Sequence, residues 1–145
     1  MLADNPMADA TMNTRAENTP PKSFRILVVD DNHDSALSQA MMLSIMGPET
    51  RTAHDGESAV ATAESFITEG VLLDIGLPKL NGYEVAQRIR EQEWGTSMFL
   101  IAVTGWGQEE DRRRTREAHF DEHLVKPVQI AELQELLAKA ERPST

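Results

Sequence analysis

Residues 25–30 have the sequence RILVVD, a short aliphatic run that ends in an acidic residue. Aliphatic side chains at consecutive positions are typical of a strand that is buried on both faces of a parallel sheet. Two later segments are also short apolar runs: GVLLD at 70–74, which again ends in an aspartate, and MFLIAVT at 98–104, which ends in a threonine. The sequence therefore predicts a sheet whose central strands are covered on both sides.

Helical patterns separate these strands. Leu37, Met41 and Ile45 recur at every fourth position and predict a first helix, which Gly47 ends. Weaker strand patterns and further helical patterns complete the alternation. The strands lie at 50–54 and 122–126, and the helices lie around 59–66, from Asn81 onward, over 108–118, and along an apolar stripe of Ile130, Leu133, Leu137 and Ala140.

Alternating strands and helices predict an α/β fold, a doubly wound (βα)5 domain. We expect its five-stranded parallel sheet to have the flavodoxin-like order 2-1-3-4-5, with right-handed crossovers that place helices on both faces. The predicted domain covers residues 24–140. Residues 1–23, rich in proline and without apolar periodicity, predict a disordered leader, and residues 141–145 predict a flexible C-terminal end.

The composition excludes several classes of function. The 145-residue chain has a formal net charge of −10, which argues against binding to nucleic acid or anionic membranes, because both require a basic surface. No cysteine is present, so disulfides and thiolate metal sites are excluded. No apolar stretch approaches the ~20 residues of a membrane span, and the first residues lack the pattern of a signal peptide. We therefore expect a cytoplasmic protein.

Polar residues stand where the predicted strands end. Asp30 and Asp31 end the first strand, Asp74 the third, Thr104 the fourth and Lys126 the fifth. Ligands of open parallel sheets bind beyond the carboxyl ends of the strands, at the point where the strand order reverses. In the predicted order that point lies between the first and third strands, so we expect these residues to converge on one crevice.

The chemistry of this set suits phosphoryl transfer. Three crowded carboxylates would raise one another's pKa unless a cation lay among them, and oxygen ligands suit Mg²⁺. Asp74, central in the set, is the candidate nucleophile that would form an aspartyl-phosphate. Thr104 and Lys126 would hold the phosphoryl oxygens as their charge redistributes. The sequence therefore predicts a switch operated by phosphorylation of Asp74.

Four segments resemble the bacterial response-regulator receiver domain: LVVDDNHDS at 27–35, LLDIGLPKLNGYE at 72–84, VTGW at 103–106 and LVKPV at 124–128. The resemblance covers about residues 24–140. It implies that Asp74 is the phosphoacceptor and that Mg²⁺ is the cofactor. By the same resemblance, the metal is held directly by Asp31, Asp74 and the Gly76 carbonyl, and by Asp30 mostly through water.

The resemblance also assigns the phosphate contacts and the switch. Thr104 and the Gly105 amide would contact the phosphoryl group, and Lys126 would pair with it. The family usually has Phe or Tyr at the position of His123, and the ring there moves as the hydroxyl of the Thr104 position is drawn to the phosphate. The positions that orient the hydrolytic water are here Gly76 and Trp106, which implies slow self-dephosphorylation.

Such a domain is a signalling module and not an enzyme in its own right. The resemblance implies a sensor histidine kinase or a histidine phosphotransfer protein as phosphodonor and an unknown downstream protein as target. A stand-alone regulator and a segment of a hybrid kinase are both consistent with the sequence. Two alternatives are a Mg²⁺-dependent phosphohydrolase of the haloacid-dehalogenase type and a pseudo-receiver scaffold. The first would place Asp-x-Asp after the first strand, and the second would leave some of the acid, hydroxyl and lysine positions empty.

Overall fold

The computed structural model of the protein describes residues 24–105 and 109–141. The leader predicted at 1–23, the last four residues and Trp106 lie outside the described residues. The strands are β1 Arg25–Val29, β2 Glu49–Ala53, β3 Gly70–Asp74, β4 Phe99–Thr104 and β5 Glu122–Val125. The helices are α1 His33–Ile45, α2 Gly56–Ser65, α3 Gly82–Arg90, α4 Glu109–Glu117 and α5 Ile130–Glu141, with a 3-10 turn at Glu93–Gly95.

The sheet has the order β2-β1-β3-β4-β5, and the paired strands are parallel, so the predicted fold class is confirmed. Alternate side chains of each strand enter different halves of the core, as the two-residue period of a strand requires. Leu27 and Val29 pack with α2 and α3 on one face, while Ile26 and Val28 pack with α1 and α5 on the other. No helix of the described residues is long and apolar enough to cross a membrane.

Helix α1 turns its predicted apolar stripe outward. Its start is capped by Asn32, whose side chain accepts a hydrogen bond from the Ser35 N–H at 2.9 Å. The stripe, however, is exposed to solvent, at 57% for Leu37, 57% for Met41 and 79% for Ile45. The face that packs on the sheet is formed by Ala36, Gln39, Ala40 and Leu43. Its two alanines let the helix lie close to the strands, and its one large apolar residue, Leu43, is fully buried.

In helix α5, too, the buried residues differ from the predicted apolar stripe, though less than in α1. Leu133 is buried as expected, whereas Ile130 is 44% exposed. Leu136, which the predicted stripe omitted, is buried in the same half of the core, and Leu137 is only partly buried against it. The apolar face is therefore rotated relative to the one predicted.

Gly70, the first residue of β3, offers a direct test of strand packing. A Cβ at this position would lie 3.4 Å from the Phe24 ring and 3.6 Å from the Phe99 carbonyl oxygen, which are ordinary contacts. Replacing Gly70 by Ala restricts the unfolded chain without straining the native backbone. We expect Gly70→Ala to stabilise the protein by about 0.4–1 kcal/mol, measured by urea denaturation.

Gly82→Ala is the control for this prediction. There an added Cβ would lie 2.5 Å from the Ile75 Cα and 2.7 Å from the Asp74 carbonyl oxygen, both of them backbone atoms that cannot move away cheaply. This variant should be less stable than the wild type. A Gly70→Ala protein that unfolds at lower urea concentration than the wild type would contradict the packing described for β3.

Candidate functional site

The carboxyl ends of the strands bring most of the predicted site residues together. Asp30 follows β1, Asp74 and Thr104 are the last residues of β3 and β4, and Lys126 follows β5. Because β3 lies between β1 and β4, Asp74 is central in this group. Asp30, Asp74 and Thr104 are buried, whereas Asp31 is exposed at the rim. The rule that polar strand ends meet at one edge therefore located this site.

Three carboxylates form the acidic part of the site. One oxygen from each of Asp30, Asp31 and Asp74 lies within 4.8 Å of the others, close enough to ligate one cation. A purely oxygen donor set suits a hard divalent ion such as Mg²⁺. The donor set thus fits the metal that the resemblance implies. The Gly76 backbone lies next to these carboxylates, since the Gly76 N–H donates to Asp74 Oδ1 at 2.9 Å.

The Lys126 ammonium lies between two of these carboxylates. Its Nζ donates to Asp30 Oδ2 and to Asp74 Oδ2, both at 3.3 Å. Burial alone would lower the pKa of Lys126, but the carboxylates of Asp74 and Asp30 outweigh it and raise that pKa. The ammonium therefore stays charged at neutral pH, in contact with both carboxylates. The Lys126-Pro127 peptide bond that follows is cis.

Asp74 and Asp30 differ in their acidity although they are neighbours. Burial raises the pKa of Asp74, against the Gly76 N–H bond and the Lys126 charge, and the charge of Asp30 adds to the increase. Burial would raise the pKa of Asp30 too, but hydrogen bonds from the Asn32 N–H and from Ser35, with the Lys126 charge, lower it. The pKa of Asp74 is therefore raised mainly by burial, with the charge of Asp30 as a smaller cause, whereas the pKa of Asp30 is lowered because local donors stabilise its charge.

Two residues that support the site were not found from the sequence. Gln39 is buried on α1, and its Nε2 donates to Asp30 Oδ2 at 3.4 Å and to Ser35 Oγ at 3.2 Å. His54, after β2, has Nδ1 at 3.0 Å from the Asp30 carbonyl oxygen, and its ring stacks on His33 at 3.7 Å. The burial of Gln39 is set by the packing of α1 on the sheet, which the sequence pattern did not reveal. His54 is the last residue of the second predicted strand, and that position was the signal by which it could have been found.

The loop that follows Asp74 is fixed by the start of α3. The side chain of Asn81 accepts from the Glu84 N–H at 3.0 Å, and the Glu84 carboxylate accepts from the Asn81 N–H at 2.9 Å, which is a capping box. Gly82 lets this helix start approach the Asp74 backbone. The phosphoacceptor candidate is therefore held by a rigid turn.

On the other side of Asp74 lie the residues that the resemblance assigns to the phosphoryl group. Thr104 ends β4, and its Oγ1 lies 3.2 Å from Nε2 of His123 on β5. Gly105 follows Thr104 at the exposed rim, and a Cβ there would meet none of the described residues within 4 Å. Trp106 lies beyond the described part of this loop.

Comparison with known proteins identifies the family. The model of the response regulator receiver domain matches residues 26–138. The virulence sensor protein BvgS of Bordetella bronchiseptica is 34% identical over 133 residues, which are 86% of this chain and 11% of that protein. The sensor histidine kinase RcsC of Escherichia coli is 31% identical over 137 residues, which are 94% of this chain and 14% of RcsC. The chain thus spans only a small fraction of these sensor proteins.

Solved structures give the same result. The receiver domain of the sensor histidine kinase PA1611 from Pseudomonas aeruginosa, solved with a magnesium ion in its active-site cleft, is 34% identical, with a TM-score of 0.75 over 81% of this chain and 97% of that one. The chemotaxis protein CheY4 of Vibrio cholerae, at 24% identity, shares the fold with a TM-score of 0.78 over 82% of this chain and 99% of that one. The chain belongs to the response regulator receiver domain family of two-component signalling.

Proposed function

We propose that Asp74 accepts a phosphoryl group from a phosphohistidine donor in a Mg²⁺-dependent reaction, and that phosphorylation switches the partner-binding surface of the domain. The observation that carries this proposal is the position of Asp74, a buried carboxylate between Asp30 and Asp31 on one side and Thr104 on the other, with Lys126 in contact. Burial disfavours the free carboxylate and raises its pKa, so its charge is poorly solvated and available for attack.

In the proposed step, an Asp74 carboxylate oxygen attacks phosphorus. The bond between phosphorus and the donor imidazole nitrogen breaks, and its electron pair stays on that nitrogen. The Lys126 ammonium, already 3.3 Å from Asp74 Oδ2, would follow the charge onto the phosphoryl oxygens. The Thr104 hydroxyl and the Gly105 amide would donate to the same oxygens, which stabilises the charge without a large rearrangement.

Asp31, Asp74 and the Gly76 carbonyl would hold Mg²⁺, with Asp30 acting mostly through water. The bound ion would supply positive charge that offsets the repulsion between the carboxylates and the incoming phosphoryl group. The chain itself orients Asp30 for this role through hydrogen bonds from Gln39 and from the Asn32 N–H. The magnesium ion named for the related PA1611 receiver supports the assignment.

The exposed apolar stripe of α1, formed by Leu37, Met41 and Ile45, is the surface that we propose for the donor protein. Helix α1 begins two residues after Asp31, so a protein seated on its outer face lies beside the acidic site. A cleft lined by Ser38, Met42, Lys126 and Val128, among others, continues this surface toward Lys126. Large exposed apolar side chains in a row typically mark a protein interface. The sensor histidine kinases among the relatives support a donor of that class.

Transfer of a phosphoryl group tests the proposed function. The chain is incubated with Mg²⁺ and either a panel of phosphorylated histidine kinases or acetyl phosphate, and its intact mass is measured. We expect a gain of one phosphoryl group, which EDTA present from the start should prevent. A chain that gains no phosphoryl group from any donor would show that it is a pseudo-receiver. Continuous hydrolysis of phosphate esters would instead show a phosphohydrolase.

The double variant Leu37→Glu/Met41→Glu tests the donor surface. We expect transfer from the phosphorylated kinase to slow by about tenfold or more, because central apolar contacts carry much of the affinity of an interface. Labelling by acetyl phosphate should be unchanged, because that donor needs no protein contact. Ile67→Glu is the matched control, since Ile67 is 71% exposed and lies between α2 and β3. Equal kinase transfer to all three proteins would exclude α1 as the donor surface.

A further inference from the structure

The Thr104 hydroxyl is in contact with an imidazole. Thr104 is buried at the end of β4, and its Oγ1 lies 3.2 Å from Nε2 of His123. The register of the two strands pairs Ala102 with His123. Since Ala102 and Thr104 are two residues apart, all three side chains lie on one face of the sheet. The imidazole therefore lies beside the hydroxyl that the proposed function assigns to the phosphoryl group.

The number of protons on Thr104 Oγ1 and His123 Nε2 limits the hydrogen bonds that these two groups can make. A threonine hydroxyl has one proton to donate and two lone pairs that accept. If Thr104 donates its proton to a phosphoryl oxygen, the bond to His123 survives only when Nε2 carries a proton and donates to Oγ1. An Nε2 without a proton would compete with the phosphoryl group for the hydroxyl proton. Protonation at Nε2 and phosphorylation of Asp74 are therefore linked through Thr104.

We propose that His123 is a positioning residue: when Nε2 carries a proton it donates to Thr104 and turns the Thr104 hydroxyl toward the phosphoryl group on Asp74. This inference rests on the proposed function and adds to it a dependence of the phosphorylated state on the protonation of His123. The imidazolium form always carries a proton at Nε2 and adds a positive charge. Linkage is reciprocal, so phosphorylation favours the protonated ring and mildly acidic pH favours the phosphorylated state. A free histidine has a pKa of ~6.5, and the pH series of the experiment is centred on that range.

Charged groups of both signs surround the His123 ring. A cleft of about 170 Å³ between α4 and β5 is lined by His123, Glu122, Asp121 and Arg116. Glu122 is in turn paired with Lys139 of α5 at 2.9 Å. Lys126 lies at the end of the same strand, and Asp74 lies beyond Thr104. Phosphorylation replaces the single negative charge of the Asp74 carboxylate by the about −1.5 to −2 charges that a phosphoryl group carries at neutral pH, so the negative charge near the ring increases.

The experiment compares His123 with side chains that cannot titrate. The full chain is labelled with acetyl phosphate and Mg²⁺ over a series of pH values, and the phosphorylated fraction is measured by intact mass. The variants are His123→Phe, which has no nitrogen, and His123→Gln, whose amide can donate but does not titrate. The donor titrates equally in the three reactions, and the site carboxylates are present in all three proteins. The ratio of wild type to variant therefore isolates the contribution of His123.

We expect the ratio of wild type to His123→Phe to rise by about three- to tenfold as the pH falls through the histidine range, the effect of one hydrogen bond. His123→Gln should lack this pH-dependent step. In a Thr104→Ala background, His123→Phe should cause no further change, because the effect passes through Thr104. Parallel pH profiles for wild type and His123→Phe, or additive effects of the two substitutions, would overturn the inference. If the wild type itself is not labelled at any pH, the proposed function fails and the inference falls with it.

Discussion

Asp74→Asn is expected to abolish phosphorylation completely and, in the absence of metal, to make the protein more stable. The amide has no anionic oxygen to attack phosphorus, so intact mass should show no gain from acetyl phosphate or from a phosphorylated kinase. The stability gain follows from burial, which raises the pKa of Asp74 and thus disfavours its charged form in the folded state. Thermal unfolding in EDTA measures the second effect, as a higher Tm.

The stability gain of Asp74→Asn should change with pH in one direction. The pKa of Asp74 is raised above its ordinary value of 3.8, so the cost of its charge is absent well below pH 3.8 and fully present above the raised folded-state pKa. The Tm advantage of Asp74→Asn should therefore grow as the pH rises toward neutrality. A variant that still gains a full phosphoryl group would exclude Asp74 as the phosphoacceptor.

Asp30→Asn is the matched control, and its effect on the Tm should be opposite to that of Asp74→Asn. The pKa of Asp30 is lowered by the Asn32 N–H, Ser35 and Lys126, despite its burial. Its charge therefore stabilises the fold above the ordinary value of 3.8, and this contribution is lost as the pH falls through the lowered pKa. At neutral pH, Asp30→Asn should lower the Tm. Equal shifts for both variants would mean that the two carboxylates do not differ in environment as described.

The fold was predictable because the alternation of strands and helices sets the topology of such a domain. Strand β3 was bounded correctly at Gly70–Asp74, since a buried strand carries an uninterrupted aliphatic run. The orientation of α1 was not predictable from its largest residues. That helix packs through small side chains such as Ala36 and Ala40, and its Leu37 and Met41 face solvent. Residue size and hydropathy alone do not reveal how closely a helix approaches its sheet.

The same distinction applies to the candidate site, where residues at strand ends were predictable and a residue placed by tertiary packing was not. Asp30, Asp74, Thr104 and Lys126 were located because each stands at the end of a strand, and the order of the strands brings such ends together. Gln39 was missed because it reaches Asp30 from the middle of α1, at a distance that only tertiary packing sets. The same holds for the acidity of Asp30, which depends on local donors and not on the number of nearby charges.

The lifetime of the proposed aspartyl-phosphate is expected to be long, and Gly76 is one reason. Hydrolysis requires a water held in line with phosphorus, and a nearby polar side chain can orient it. By family resemblance the two side chains best placed for this are at positions 76 and 106. Gly76 has no side chain, and the other position is Trp106, whose indole is mostly apolar. A slow reset of this kind suits a stored signal.

Gly76→Asn combined with Trp106→Glu should therefore speed the loss of the phosphoryl group by about tenfold, as expected when a reacting water gains a positioning group. A side chain at position 76 would fit, because its Cβ would lie 3.4 Å from Asp74 Oδ1 in ordinary contact. The decay is followed by intact mass after the donor is removed. Gly76→Ala, which adds a methyl group but no polar atom, is the control and should decay at the wild-type rate. If the double variant decays no faster than this control, these two positions do not set the lifetime, and water access to Asp74 must be limited elsewhere in the site.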